Sequence, residues 1–265
     1  MTASDGPAPV LLERDGEVAV ITLNRPEKRN AMNVAAQDAL LRALEDCRGS
    51  AKAIVLTGAG TAFCSGIDLK EAAVDPADSA SPRRAKWRRV QETIKDHPSI
   101  VIAAVNGFAL GGGVSLINSA DLAIAAEDAV IGMPEIGFGI YPGVAGPSTQ
   151  LRLNQKRAAW MVLTAEHIDG RTAAEWGLVN RAVPLEDLAV VVRELANDVA
   201  RFDAIALEYS KKALWHVPAR VAEWSDALEY GEEVGAEIRT RSNAAKVGLT
   251  AFESGARNPG QGAGA

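Results

Sequence analysis

Three consecutive glycines, Gly111-Gly112-Gly113, follow an apolar run, Ile100–Val105, and an Asn106-Gly107 turn. No other feature limits what this chain can fold into so sharply. A glycine in a helix costs about 1 kcal/mol relative to alanine, yet the next residues, Val114–Leu122, read as a helix. A triplet there needs a reason, and there are two. Glycines let a helix pack hard against a sheet. They also bare the backbone, so that the N–H of Gly112 can meet a substrate carbonyl at the positive end of the helix. The triplet alone does not choose between these.

A second loop has the same logic. Phe63-Cys64-Ser65-Gly66-Ile67-Asp68 follows a short strand, and the N–H of Ile67 can supply a second donor. Two such donors make an oxyanion hole. Asp68 is also placed to cap a helix starting near Leu69. A third segment, Met133-Pro134-Glu135-Ile136-Gly137, runs ahead of Tyr141-Pro142-Gly143 and carries a carboxylate. Amid Ile131, Met133, Ile136 and Phe138, Glu135 is either surface-directed or buried for use. Burial would raise its pKa and suit it to proton transfer.

Other chemistries fail on the residues. Gly58-Ala59-Gly60 suggests a dinucleotide loop, but Phe63 stands where the third glycine belongs. There is no G-x-S-x-G for a serine hydrolase, and the three histidines, His97, His167 and His216, sit in helical or turn contexts that read as structural. The basic run Arg83, Arg84, Lys86, Arg88 and Arg89 reads as a solvated helix face rather than a phosphate site. A net charge of −6 argues against a general nucleic-acid binder. No apolar run approaches the ~20 residues that span a bilayer, and the first nine residues show no signal-peptide pattern. Two cysteines without metal spacing, Cys47 and Cys64, point to a reducing, cytoplasmic setting with no disulfide.

The organisation is that of an α/β protein. Val18–Leu23, Ala53–Thr57, Ile100–Val105, Asp121–Ala125 and Ala129–Ile131 read as strands, and Ile100–Val105 is apolar enough for a sheet covered on both faces. Asn33 is placed to cap a helix reaching Cys47, with Val34, Leu41, Leu44 and Cys47 on one face. After Ser148 the chain becomes mainly helical, with helices expected near 155–164, 172–176, 185–201, 203–215, 219–240 and 242–253 and an extended piece at Leu178–Val183. With 265 residues the chain suits one large domain with an appendage. The division expected is a core over 1–200, a helical region over 201–254 and a disordered tail over 255–265.

Taken together, these segments resemble the crotonase family, the enoyl-CoA hydratase/isomerase superfamily. The resemblance runs from about Val10 to Phe252. It rests on Leu23-Asn24-Arg25-Pro26-Glu27-Lys28-Arg29-Asn30-Ala31-Met32, the F-C-S-G-x-D-L-K-E loop, the A-V-N-G-x-A-x-G-G-G segment, P-E-I-G-x-G-x-x-P-G and Ala173-Ala174-Glu175-Trp176-Gly177-Leu178-Val179. Each is weak alone; five in order are specific. The resemblance implies a spiral of β-β-α repeats with a C-terminal helical region that serves trimerisation, giving a homotrimer or a dimer of trimers. It implies acyl-CoA substrates, coenzyme A entering as part of the substrate, and no prosthetic group or metal; the absence of nucleic-acid and membrane partners is expected from the charge and the apolar runs instead. By match to the motifs, the N–H groups of Ile67 and Gly112 would hold the thioester oxygen and stabilise an enolate. Lys28, Arg29, Ala31, Ser65, Asp68, Leu69 and Lys70, with Pro134 and Gly143, fall where the family meets CoA.

One departure bears on the reaction. Family hydratases carry a glutamate two residues after the third glycine, and here that place is Ser115. Glu135 alone remains. Ser115 can orient a water but is a poor base. A lone carboxylate suits an isomerase, which moves one proton from the α to the γ carbon. The hydroxycinnamoyl-CoA hydratase-lyases of the family also combine serine at this place with the second glutamate, and Leu69-Lys70-Glu71 resembles them. Ala72, though, stands where they have a tyrosine, while Tyr230 lies near their second tyrosine region. The expectation is a hydratase/lyase on 2-enoyl-CoA, with a Δ3-Δ2 isomerase next, then a CoA-thioester hydrolase or a non-catalytic binding homologue. The pocket wall is expected from Ala72–Lys86, Phe138, Ile140 and the C-terminal helices.

Overall fold

The runs of β-branched and apolar residues form strands that divide between two sheets. A computed structural model describes residues 7–68 and 82–256. Among these, nine strands pair as a six-stranded sheet and a three-stranded sheet. The larger follows the order β1 (Val10–Asp15), β2 (Val18–Leu23), β3 (Ala53–Gly58), β5 (Ile100–Val105), β7 (Leu122–Ala126) and β9 (Arg181–Val183). Only the β1–β2 hairpin is antiparallel. The smaller contains β4 (Ala62–Cys64), β6 (Phe108–Leu110) and β8 (Ile131–Gly132), all parallel.

The two sheets explain the spiral. Each turn of chain lays one strand in the large sheet, bends sharply and lays the next in the small one. Thus β3 leads to β4, β5 to β6 and β7 to β8, and both sheets keep the same order. The bends are tight enough to demand glycine. A Cβ on Gly107 would lie 2.1 Å from the Thr61 carbonyl oxygen, and one on Gly58 would lie 2.1 Å from that of Ala62. Asn106 bridges the first two repeats, its amide donating to the carbonyls of Gly58 and Gly60. Every residue of β5 is buried, as expected of a strand covered on both faces.

Helices fill out the repeats: α1 (Val34–Asp46), α2 (Pro82–Lys95) and α3 (Gly112–Ser119). Asn33 caps α1, accepting from the Ala36 N–H. The buried face of α1 differs from the one expected. Leu44 and Cys47 are inside, but Val34 is exposed, Leu41 is half-buried, and Ala36, Gln37, Leu40 and Ala43 face the core. The helix after the glycine triplet begins within it rather than after it. A Cβ on Gly113 would meet the Cys64 carbonyl oxygen at 2.1 Å, so the first turn of α3 lies directly on the end of β4.

Downstream, α4 (Ala145–Gln150), α5 (Gln155–Leu163), α6 (Gly170–Trp176) and α7 (Leu185–Ala200) close the core, α7 lying across β3, β5 and β7. The C-terminal helices are α8 (Ala204–Arg220), α9 (Trp224–Arg241) and α10 (Ala244–Glu253). Gly255 and Ala256, assigned to the tail from sequence, finish α10 instead. Gly255 is left-handed at φ 97°, and the N–H groups of both residues return to Phe252 and Ala251. The rest of that tail lies outside the described residues.

Candidate active site

Because β4, β6 and β8 are parallel, their C-terminal ends open on one edge of the small sheet. The loops leaving that edge are Ser65-Gly66-Ile67, Gly111-Gly112-Gly113 and Met133-Pro134-Glu135, the three segments singled out from sequence. Such an edge is where parallel sheets present ligand-binding loops.

The first two loops touch. A Cβ on Gly66 would stand 2.8 Å from the Leu110 carbonyl oxygen and 2.9 Å from the Gly112 nitrogen. One on Gly112 would stand 3.0 Å from the Gly66 Cα. Gly66 is also left-handed at φ 92°, a conformation glycine adopts without a Cβ penalty. The N–H groups of Ile67 and Gly112 donate to no other protein group among the described residues. Two bare donors thus lie on adjoining loops, one of them in the first turn of α3. Trp87 of α2 packs on the junction; its Cζ2 would be 3.1 Å from a Gly112 Cβ, and the ring is buried. Sequence reasoning missed Trp87, although its spacing with Val90 and Ile94 marks a buried helix face.

Glu135 reaches the same place from β8. It lies in a 3-10 turn, Pro134–Phe138, and its Oε1 would be 2.4 Å from a Cβ on Gly111. The first glycine of the triplet therefore gives room to the carboxylate, while the second offers the N–H. Glu135 Oε2 is buried and has no hydrogen-bond partner among the described residues. Burial pushes the carboxyl above its ordinary value, 4.5, while its own backbone N–H pulls the other way. Ser115, buried in α3, donates its hydroxyl to the Gly112 carbonyl at 2.7 Å. Its lone pairs alone remain for another partner.

The loop over 25–32 runs beside the Ser65 loop. The N–H of Ser65 donates to the Arg29 carbonyl and its hydroxyl to that of Lys28, while the Met32 N–H donates to Gly66. Arg29 and Asn30 are left-handed, at φ 49° and 57°. The buried Asn30 amide holds the loop to the Ala59 and Ala62 carbonyls, and the Arg29 guanidinium lies 4.6 Å over the Phe108 ring. Arg25 bonds both the Ala31 carbonyl and Asp68, at 3.2 Å for the latter. Lys28, Arg29, Ala31, Ser65 and Asp68 thus lie along one pair of loops. Pro134 flanks Glu135. Gly143 is exposed, and an added Cβ would meet only the Tyr141 carbonyl oxygen, at 4.0 Å. Leu69, Lys70, Ala72 and the helix expected near Leu69 lie outside the described residues. On α2, Lys86 pairs with Asp38 at 2.7 Å, and Arg88 and Arg89 are exposed, as a solvated face requires. Among the described residues no group of three His, Cys, Asp or Glu side chains is placed to hold a metal ion.

Known proteins share this architecture. The family model described as enoyl-CoA hydratase/isomerase matches residues 13–253. A probable enoyl-CoA hydratase of Rhodobacter capsulatus is 40% identical over 197 residues, covering 74% of this chain and 77% of its own. A hydroxycinnamoyl-CoA hydratase-lyase of Pseudomonas fluorescens is 34% identical over 210 residues, covering 76% of each. The crystal structure of an enoyl-CoA hydratase from Bacillus anthracis superposes with a TM-score of 0.87 at 30% identity, over 93% of this chain and 96% of that one.

Proposed function

The chain belongs to the enoyl-CoA hydratase/isomerase family, and from that premise we propose that it is a lyase of the hydratase type acting on a 2-enoyl-CoA thioester. One observation carries the proposal. Two bare N–H groups, on Ile67 and Gly112, adjoin a half-buried glutamate, Glu135, whose Oε2 is buried and unpartnered. Donors aimed at a developing oxyanion, with a proton carrier beside them, suit enolate chemistry.

The thioester oxygen accepts from both N–H groups. Glu135, ionised, takes a proton from a water as the water oxygen bonds to C3. The C2=C3 electron pair moves through the carbonyl, leaving a negative oxygen in the hole. Glu135 then returns the proton to C2, and the carbonyl re-forms. One water is added, and the carboxylate is regenerated. Because the Ser115 hydroxyl hydrogen is already committed to Gly112, Ser115 acts on the water only as an acceptor that orients it. Lys28, Arg29, Ala31, Ser65, Asp68, Leu69, Lys70, Pro134 and Gly143 belong to the proposed CoA site. The same proposal includes self-association as a homotrimer or dimer of trimers through the C-terminal helices, and a cytoplasmic setting in keeping with the free thiols Cys47 and Cys64.

The single carboxylate also favours a second reading. Taking a proton from C2 of a 3-enoyl-CoA and returning it at C4 needs Glu135 and the hole but no water, so a Δ3-Δ2 isomerase is the alternative. Mass spectrometry with a UV trace separates them on crotonyl-CoA, a 3-enoyl-CoA and a hydroxycinnamoyl-CoA, with Glu135→Gln as control. Gain of one water by crotonyl-CoA is expected. Release of acetyl-CoA from the aromatic substrate would add a lyase step. Unchanged mass with new conjugated absorbance from the 3-enoyl-CoA alone would replace hydratase by isomerase. Free thiol would indicate a thioester hydrolase, and no turnover at all would leave the binding homologue.

A further inference from the structure

The far end of α3 from Gly112 carries a polar joint. Asn118, in the last turn, is buried, and its Nδ2 donates to Ser148 Oγ at 3.0 Å and to Thr149 Oγ1 at 2.9 Å, both on α4. Thr149 is fully buried, and its hydroxyl points to the sulfur of Met133 at 3.9 Å. Met133 begins the turn that carries Glu135. One side chain therefore connects the helix bearing a hole donor with the turn bearing the carboxylate.

The joint is held from outside as well. Arg152 donates twice to the Asn118 carbonyl, both at 3.2 Å, placing a cation at the C-terminal end of α3, where the helix dipole favours it. Its guanidinium lies 3.9 Å over the Trp215 ring of α8. The Trp215 indole donates to Asp121 at 3.0 Å, and Asp121 also pairs with the buried Lys211 at 2.7 Å. The C-terminal helix α8 is thus clamped to the same helix end.

Asn118 is a poor choice for stability alone. Its Oδ1 is buried and accepts from no group among the described residues. Such an orphan is destabilising, whereas an apolar side chain of similar shape avoids it. We infer that Asn118, with Thr149, is a positioning residue that fixes the distance between the Gly112 N–H and the Glu135 carboxylate, and that Arg152 and Trp215 hold this joint against α8.

The inference rests on the enolate reading of the site, and the test separates the two. Asn118→Leu keeps the branching and heavy-atom count and removes both the donors and the orphan. Its melting temperature is expected to equal or exceed that of the wild type, while kcat falls on the order of 10²-fold, as a displacement near 1 Å would produce. KM stays within about threefold, because the loops over 25–32 and 65–68, which carry most of the proposed CoA site, make no hydrogen bond to the joint among the described residues. Thr149→Val should show the same split and Thr149→Ser should restore kcat. Amide hydrogen exchange, which needs no substrate, should quicken in 112–119 and 133–138 in both defective variants and not in β5. Unchanged kcat in Asn118→Leu, or a kcat loss that merely follows a lower melting temperature, overturns the inference. A wild-type chain inert on every CoA thioester overturns the enolate reading instead. Exchange then decides the joint, and unchanged exchange in the two segments overturns it.

Discussion

At Glu135, function and stability pull in opposite directions. Its raised pKa means that the native state binds the proton more tightly than the unfolded chain does. Native stability therefore falls as pH rises from the ordinary value, 4.5, through the raised one, and at neutral pH the buried charge is a cost. Glu135→Gln should remove that cost, raising the melting temperature by roughly 1–3 °C at pH 7, an advantage that fades below about pH 4. The same change should lower turnover by about 10²–10⁴-fold. Calorimetry beside a kinetic assay reads both, and a less stable Glu135→Gln protein would refute the account of its burial. Gly111→Ala pushes the other way, because its Cβ would land 2.4 Å from Glu135 Oε1 at a residue whose φ is 50°. It should lose both stability and, by on the order of 10²-fold, kcat. The glycines and the glutamate were legible in sequence as residues that need a reason. Why the Glu135 carboxyl is half-buried was not. Its neighbours Ile136 and Phe138, which suggested an apolar surrounding, are 39% and 67% exposed. The enclosure comes from Gly111 and the turn after β8, a contact between repeats that no local pattern encodes.

Among the elements, length decided what could be read. The six-residue strands β2, β3 and β5 carry enough apolar residues to be found, and Asn33 announces α1. Strands β4 and β6 have three residues each, too few for any periodicity, yet they form the sheet that gathers the site. The stripe of α1 was displaced because two alanines and a glutamine, Ala36, Ala43 and Gln37, make three of its five buried positions. His97, which links elements, was read as structural, and its surroundings agree. Its Nε2 lies 2.9 Å from the Leu44 carbonyl oxygen at the end of α1, and its Nδ1 accepts from the Ser99 N–H ahead of β5. That pairing requires the neutral ring, and burial, the largest cause, lowers its pKa from 6.5 to about 4. Between those values the unfolded chain binds more protons than the native one, so stability should fall as pH drops through the window. The loss should reach about 2–3 kcal/mol by pH 4. Urea unfolding across that range checks it. His97→Gln should be less stable at pH 7 but lose less on acidification, and an equal slope in both proteins would exclude His97 as the source.

For the molecule as a whole, the C-terminal helices are held at one end and open at the other faces. Lys211 and Trp215 fasten α8 to the core through Asp121, yet α8–α10 leave Leu214 75%, Trp224 79%, Leu249 65% and Phe252 65% exposed. Single exposed apolar residues are ordinary; several large ones on three consecutive helices are what the proposed self-association would cover. The resemblance read from sequence reached Phe252 and carried the fold with it. Patterning alone does not decide assembly, because an apolar stripe at helical spacing looks the same whether it faces its own core or a second copy. Of the pocket wall expected from sequence, residues 72–81 lie outside the described residues, while Phe138 and Ile140 are exposed. If the proposed self-association is correct, sedimentation should give three or six times the 27.8 kDa of one chain. Trp224→Glu with Phe252→Glu should shift that mass downward while the far-UV spectrum stays the same. Each buried aromatic anchor contributes on the order of 2 kcal/mol or more at an interface, so two charges there are enough to separate subunits at micromolar concentration. A wild-type protein sedimenting as a single chain would instead assign these residues to a different partner. A loss of helicity in the double variant would mean that they serve the fold of α8–α10 itself.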